Sequence, residues 1–358
     1  MYIVIMAGGS GTRFWPFSRQ AKPKQFLAII GKNPMVVETW YRVKPLSNNR
    51  EGLVVLGQQH LEEARRLFDG EKIKLLAEPV GRNTAPCIGL GALYADCMGI
   101  DEAVAFLPAD HYIADAGAFL KSLKLASKMV VNDSIATLGI VPTRPETGYG
   151  YIHKGNLFSS DNGLDVYEVS SFVEKPDLET AMGYLSSGEY YWNAGIFLAN
   201  PKTILKEIEL HLPDLFEGLE KIRTATGKND FEAVLEEVYP DLPNISFDYG
   251  IMEKTKERVL VIPCDCGWSD VGSWLSLYEL KKKDSDDSEN VVEGDTLMID
   301  CSGNFVASKA DRFIACLGIE NSLIVDTPDA LLVADKSRSQ EIRKIVEYLK
   351  REGRDNLL

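Results

Sequence analysis

The sequence predicts an α/β fold: a mixed, mostly parallel sheet flanked by helices, then a small β module and a terminal helix. Three observations predict it. Strand-like and helix-like segments alternate from residue 2 to about residue 141. Beyond about residue 290 they give way to short apolar runs separated by turn residues, roughly 8–10 positions apart. The length, 358 residues, suits one large domain with or without a smaller one.

Each element has its own reason. "YIVIMA" (2–7) is a buried strand, rich in β-branched residues and stopped by glycine. "MVVETWYRV" (35–43) has helical periodicity, followed by the strand "LVVLG" (53–57) and the helix "QHLEEARRLF" (59–68). The strand "KIKLLAE" (72–78), a helix over 84–98 and the strand "AVAFLPAD" (103–110) continue the alternation. A helix near 119–131 and the strand "IATLGIV" (135–141) complete it. Such alternation argues for a parallel sheet covered by helices. Residues 149–200 are richer in strands ("YGYIHK", "VYEVSSFVEK", "WNAGIFLAN") and read as a sheet extension holding substrate loops. A helical stretch runs from Pro201, a favourable first helical residue, to about Tyr239. "KKKDSDDSEN" (281–290) is charged, lacks apolar residues and reads as a solvated loop. It divides the chain into a domain over 1–280 and a module over 281–358, the latter suited to packing and oligomerisation.

Composition narrows the function. The formal net charge of −14 argues against nucleic acid or an anionic membrane as partner. No run of about 18 apolar residues occurs. "MYIVIM" has no basic start and runs straight into glycines, so no signal peptide is read and the cytoplasm is the expected compartment. Cys87, Cys97, Cys264, Cys266, Cys301 and Cys316 are scattered without a C-x-x-C pair and read as buried reduced thiols. An anionic substrate needs positive charge gathered locally, and one stretch gathers it. No acid precedes Glu38, while Arg13, Arg19, Lys22 and Lys24 follow "AGGSG".

A glycine-rich turn between a strand and a helix aims several N–H groups one way and suits phosphate. Two better-known glycine motifs fail at Phe14. It stands where a P-loop needs lysine, and where the dinucleotide fingerprint needs its third glycine. A tight turn without a ligand is the plainer reading. Pro16, Pro23, Phe14, Trp15 and Phe26 stiffen and anchor the segment, which a merely solvated basic face does not require.

"AGGSGTRFWPFSRQAKPKQFL" resembles the signature of the sugar-1-phosphate nucleotidylyltransferase family, and its "WP-F-SR…PKQFL" wording is similar to the mannose-1-phosphate guanylyltransferase branch. The resemblance continues through "EPVGRNTAP", "LPADH", "TGYGYI", "VEKP", "WNAGIF", "FDYGIMEK" and "WSDVGSW", over residues 3–280, and more loosely through the β module. It implies a Rossmann-like catalytic domain, a β-helix-like module and a homodimer. It also implies transfer of GMP from GTP to mannose 1-phosphate, giving GDP-mannose and pyrophosphate. Another base or sugar, such as glucose 1-phosphate, is an alternative, as is a non-catalytic binder of nucleotide sugars. No isomerase activity is expected.

The remaining motifs take roles on that resemblance. Nucleotide binding falls to Ala7, Gly8, Gly9, Gly11, Thr12, Arg13 and Lys24 in the loop, and to Glu78, Asn83 and Thr84 in "EPVGRNTAP". Glu78 or Asn83 could meet the guanine edge, and helix capping is the alternative for Asn83 and Thr84. Asp110, at a strand's carboxyl end, suits Mg²⁺ or caps the next helix. The family adds Asp270 as the second metal carboxylate, although 160 positions separate the two. Gly148 would allow close backbone approach, Glu174 and Asn193 would bond sugar hydroxyls, and Lys175 would take the sugar phosphate. The catalytic set is Arg13, Lys24, Asp110 and Lys175.

Overall fold

The computed structural model describes residues 1–9, 11–131 and 133–358. The chain divides into two compact units. The first comprises Met1–Gly8, Val36–Ala109 and Ile113–Trp268; the second comprises Gly9–Met35, Asp110–Tyr112 and Ser269–Leu358. The glycine loop therefore belongs to the same unit as the C-terminal module. The charged stretch 281–290 lies inside that unit and is ordered by its own side chains. Lys282 pairs with Glu289 at 3.0 Å, and Asp286 accepts from the backbone of Ser288 and Asn290.

The first unit is built on a sheet of nine strands. They are β1 (Tyr2–Ala7), β2 (Gly52–Gly57), β3 (Ile73–Glu78), β4 (Val104–Pro108), β5 (Ile135–Ile140), β6 (Gly150–Asp161), β7 (Leu164–Glu174), β8 (Tyr190–Ala199) and β9 (Val259–Pro263). Their order is β3-β2-β1-β4-β8-β5-β9-β7-β6. Val4 of β1 faces Leu53 on one side and Phe106 on the other, both in parallel register. β8 runs antiparallel to β4 and β5, and β7 antiparallel to β9 and β6; the other strands share one direction. The parallel strands read as unbroken apolar runs because both their faces are covered. Ala7, Glu78 and Pro108 thus end three strands at one edge of the sheet.

The helices of this unit include α1 (Met35–Val43), which matches its sequence periodicity residue for residue, α2 (Leu61–Leu67), α3 (Thr84–Cys97) and α4 (Ala116–Met129). α3 is buried on nearly all sides and packs with α6 (Pro201–His211) and α7 (Pro213–Ala225). The helical stretch from Pro201 to Tyr239 contains three helices. Pro213 opens α7, and Gly227, at φ +79°, separates it from α8 (Phe231–Val238). α5 (Leu178–Ser187) lies in the strand-rich region, capped by the Asp177 carboxylate on Thr180 N. The β6–β7 hairpin is longer than "YGYIHK" indicates. Its turn, Asn162-Gly163, has positive φ at both residues, as a two-residue hairpin turn requires.

In the second unit, β10 (Val291–Glu293), β12 (Phe305–Ser308) and β14 (Ser322–Asp326) are parallel rungs, with β15 (Leu331–Asp335) antiparallel to β14. β11 (Thr296–Ile299) and β13 (Ile314–Leu317) form a second parallel pair. Buried asparagines stack at the corner between rungs. The Asn290 amide oxygen accepts from Asn304 Nδ2 at 2.9 Å, and the Asn304 amide oxygen accepts from Ser322 N at 2.8 Å. These side chains satisfy backbone groups that a coiled rung leaves unpaired. α9 (Trp274–Lys281) and α10 (Ile342–Arg351) complete the unit. The six cysteines are free thiols; five are buried and Cys97 is exposed, against the expectation for it.

Candidate active site

The opening loop is held by its own bonds and its own aromatics. Gly11 sits at φ +58°, and a Cβ there would fall 2.6 Å from the Lys24 backbone N, so the position needs glycine twice over. Ser18 Oγ donates to Gly11 O at 2.6 Å, and Gln25 Nε2 donates to Gly9 O at 2.7 Å. Thr12–Phe14 form one 3₁₀ turn, with the Phe14 ring 5.0 Å from that of Trp274. Ser10, within the expected run of loop amides, lies outside the described residues.

This loop lines a cavity of about 430 Å³ in the second unit. Gly11, Thr12, Arg13 and Lys24 line it together with Asp110, His111, Asp270 and Gly272. The two carboxylates that lie 160 positions apart therefore share one cavity. Lys24 is only 4% exposed. Its ammonium donates to Asp110 Oδ2 at 2.8 Å and to the Asp270 carbonyl at 2.5 Å. Burial by itself would raise the Asp110 carboxyl, but Lys24 and His111 hold it below the usual carboxylate range. The Asp270 carboxylate accepts from Gly272 N at 3.1 Å, in space that a side chain at Gly272 would fill. Arg13 is exposed, and among the described residues its guanidinium has no hydrogen-bond or ion-pair partner. Two carboxylates on one cavity suit a hard divalent cation. Among the described residues no cluster of three or more His, Cys, Asp or Glu could hold a metal alone, so such a cation would draw further ligands from phosphate or water.

In the first unit, Gly8 and Glu78 meet: a Cβ on Gly8 would lie 2.8 Å from Glu78 Oε2. Glu78 is 2% exposed and accepts a hydrogen bond from the Tyr239 hydroxyl. Burial pushes its carboxyl up to about 7, against the hydrogen bonds from Tyr239 and Cys87. Tyr239, at the end of a helical segment with no motif around it, gave no sequence signal of this contact. A raised carboxyl pKa favours the folded state while the acid is neutral. That contribution is complete below about pH 4.3 and lost as pH rises through about 7. Glu78→Gln should therefore remove on the order of 3 kcal/mol of stability change across that window. Thermal unfolding of both proteins from pH 4 to 8 checks it, and parallel curves would reject a buried titrating Glu78.

Asn83 is the N-cap of α3, its Oδ1 accepting from Thr84 N at 2.9 Å, and Thr84 Oγ1 accepts from Phe247 N at 2.8 Å. Capping is thus what these two side chains do in this structure. Ala7 is buried at the end of β1.

Glu174 and Asn193 come together at a glycine, with Lys175 paired to Glu174, but that glycine is Gly150. A Cβ there would run into Glu174 Oε2 and the Asn193 side chain, whereas Gly148 lies exposed with its N–H on Glu146 Oε1 at 3.0 Å. Glu174 and Lys175 form an ion pair, and Lys175 adopts φ +50° with its N–H on the Tyr149 carbonyl at 3.2 Å. Asn193 Nδ2 donates to Asp248 Oδ1 at 2.6 Å, and Asn193 Oδ1 accepts from Gly195 N at 2.9 Å. Asp248 was not among the sequence candidates, although "FDYGIMEK" contains it. It opens a π-helical turn, Asp248–Met252, a geometry frequent at functional sites. Burial, then the nearby Glu174 charge, push its carboxyl up to about 6.

The sequence and the fold match known proteins. The nucleotidyl transferase family matches residues 2–287, and the chain belongs to it. The MannoseP isomerase/GMP-like beta-helix domain matches residues 294–349. More particular likenesses follow. The chain is 43% identical to a mannose-1-phosphate guanylyltransferase of Salmonella typhimurium, over 98% of this chain and 73% of that one. It is 41% identical to the mannose-1-phosphate guanylyltransferase of Klebsiella pneumoniae, over 98% of this chain and 74% of the relative. The crystal structure of a mannose-1-phosphate geranyltransferase from Thermus thermophilus superposes with a TM-score of 0.86 at 36% identity, covering 98% of this chain and 99% of that one.

Proposed function

We propose that the chain transfers GMP from GTP to α-D-mannose 1-phosphate, giving GDP-mannose and pyrophosphate. The observation that carries this reading is the cavity that gathers Arg13, Lys24, Asp110 and Asp270 on the glycine loop. The near full-length likeness to guanylyltransferases supports the choice of base and sugar.

The nucleophile is an oxygen of the sugar phosphate. A phosphate monoester has a second pKa of about 6, so it is largely dianionic at neutral pH and needs no general base. It attacks the α-phosphorus, and the bond to the leaving pyrophosphate breaks. What the protein must supply is position and relief of anion repulsion. Arg13 and the amides of Gly8, Gly9, Gly11 and Thr12 hold the triphosphate. Lys24 keeps Asp110 ionised and fixed. Asp110 and Asp270 would hold Mg²⁺, which supplies charge neutralisation on phosphate oxygens when bound. Lys175 receives the sugar phosphate, and Glu174 and Asn193, braced by Asp248, take the sugar hydroxyls. Asn83, whose Oδ1 is taken by the cap of α3, offers its Nδ2 to the guanine edge, and the buried Glu78 is the second group assigned there.

Cytoplasmic location accords with six free thiols, and no described helix is long and apolar enough to cross a membrane. The module over 281–358 serves a homodimer. Leu297, Ile299 and Leu317, the last 71% exposed, present an apolar face on the β11–β13 pair. Sedimentation of the full chain decides this, and a monomer at micromolar concentration rejects it. The test of activity is pyrophosphate release across the four nucleoside triphosphates and several sugar 1-phosphates, with and without Mg²⁺. GTP with mannose 1-phosphate should lead by at least about ten-fold in kcat/KM, near 1.4 kcal/mol of discrimination. No preference rejects the specificity, and no release from any pair favours a binding protein.

A further inference from the structure

The cavity on the glycine loop has two further lining residues, Arg343 and Glu347, one turn apart on α10 of the C-terminal module. Neither belongs to a sequence motif. Arg343 is exposed, and among the described residues its guanidinium has no hydrogen bond or ion pair, even with Glu347 four positions on. Two of the three other cations on the same helix are paired. Lys344 is paired with Glu341, and Arg351 with Glu352.

The helix is fixed against the loop rather than resting near it. Ile342, Val346 and Leu349 form its buried stripe, in one apolar cluster with Phe14 and Trp15. Trp15 Nε1 donates to the Leu357 carbonyl at 2.8 Å. Packing that seats the two residues after Arg13 therefore also seats the helix that carries Arg343.

Formal charge shows what Arg343 adds. Leaving His111 aside, Arg13, Lys24 and Arg343 face Asp110, Asp270 and Glu347, and the six cancel. Lys24 is committed to Asp110 and the Asp270 carbonyl. The two uncommitted cations are guanidinium groups, whose planar donors match phosphate oxygens in pairs. Without Arg343 the cavity lining would carry a net negative charge toward a polyphosphate.

We propose that Arg343 is a phosphate-binding residue. It grips the outer phosphates of the nucleotide opposite Arg13 and holds the pyrophosphate as it leaves. The C-terminal module is then part of the substrate site. This rests on the reading of the cavity as the triphosphate site.

Calorimetric titration of the full chain with inorganic pyrophosphate tests it without turnover, alongside steady-state kinetics. Arg343→Gln should weaken pyrophosphate binding on the order of ten-fold and raise the KM for GTP similarly. The KM for mannose 1-phosphate should stay within about two-fold and the Tm should not move, which a purely structural role would not produce. Arg343→Lys, which keeps the charge but not the paired donors, should fall between. It carries the test if the glutamine variant does not fold, since parental affinity in the lysine variant would then overturn the proposal. Parental affinity in Arg343→Gln, with loss in Arg13→Gln, overturns it and leaves the cavity reading standing. No pyrophosphate binding by the parent overturns the cavity reading itself.

Discussion

Lys24→Met is expected to lower turnover about a thousand-fold and to destabilise the protein as well. Methionine keeps the apolar stem of the side chain and removes the ammonium. It leaves the Asp110 carboxylate without its 2.8 Å partner and the Asp270 carbonyl without its donor. A fully buried pair broken in this way costs roughly 3–5 kcal/mol. The Asp110 side chain is 35% exposed, so water screens part of the loss and about 1–3 kcal/mol is the expectation. The pH dependence separates the two effects. Asp110 is held below its ordinary range, so the pair stabilises above about pH 4 and stops doing so as pH falls through the depressed value. The gap in Tm between parent and variant should therefore close in acid. A Lys24→Met protein with a tenth or more of parental turnover would falsify the role of Lys24 in the reaction.

Arg13→Gln should behave differently, although the two cations belong to one loop and line one cavity. Its guanidinium is exposed and has no protein partner among the described residues. Removing it breaks nothing in the free protein, so Tm should change by less than about 1 °C, within the range of an ordinary surface substitution. Turnover should fall about a hundred- to a thousand-fold, because the charge is missing only when the triphosphate is present. Thermal shift and pyrophosphate release on the same preparation decide it. If Arg13→Gln unfolds as early as Lys24→Met, Arg13 holds the loop and the division of labour between the two cations fails.

What the sequence revealed and concealed follows the range of the interactions. β1, α1 and the glycine turn were legible because apolar periodicity and glycine chemistry are local. The Asn162-Gly163 turn is equally local, since Asn-Gly is the strongest short-range hairpin signal a sequence carries. α5 gave little pattern because only Ala181 of its residues is fully buried, while Leu178 and Met182 face outward. Gly148 and Gly150 could not be told apart from "TGYGYI", since the tight approach at Gly150 depends on Glu174 and Asn193 across the strands. Asp248 lay within "FDYGIMEK", but its bond to Asn193 is likewise tertiary, and Tyr239 and Arg343 had no motif around them at all. All three reach their clusters only through the tertiary fold. The meeting of Asp110 and Asp270 was legible through family likeness alone.

The bond from Trp15 to the Leu357 carbonyl spans 342 positions. On a ribosome adding about 5–20 residues per second, those positions take roughly 17–70 s to make. Through that interval β1 and the strands made soon after it can already pair. The loop that follows β1 has to wait for the last of its supports. A growing chain of this protein can thus pair its first strands well before the residues from 342 to 357 that pack on and bond to the loop have been made.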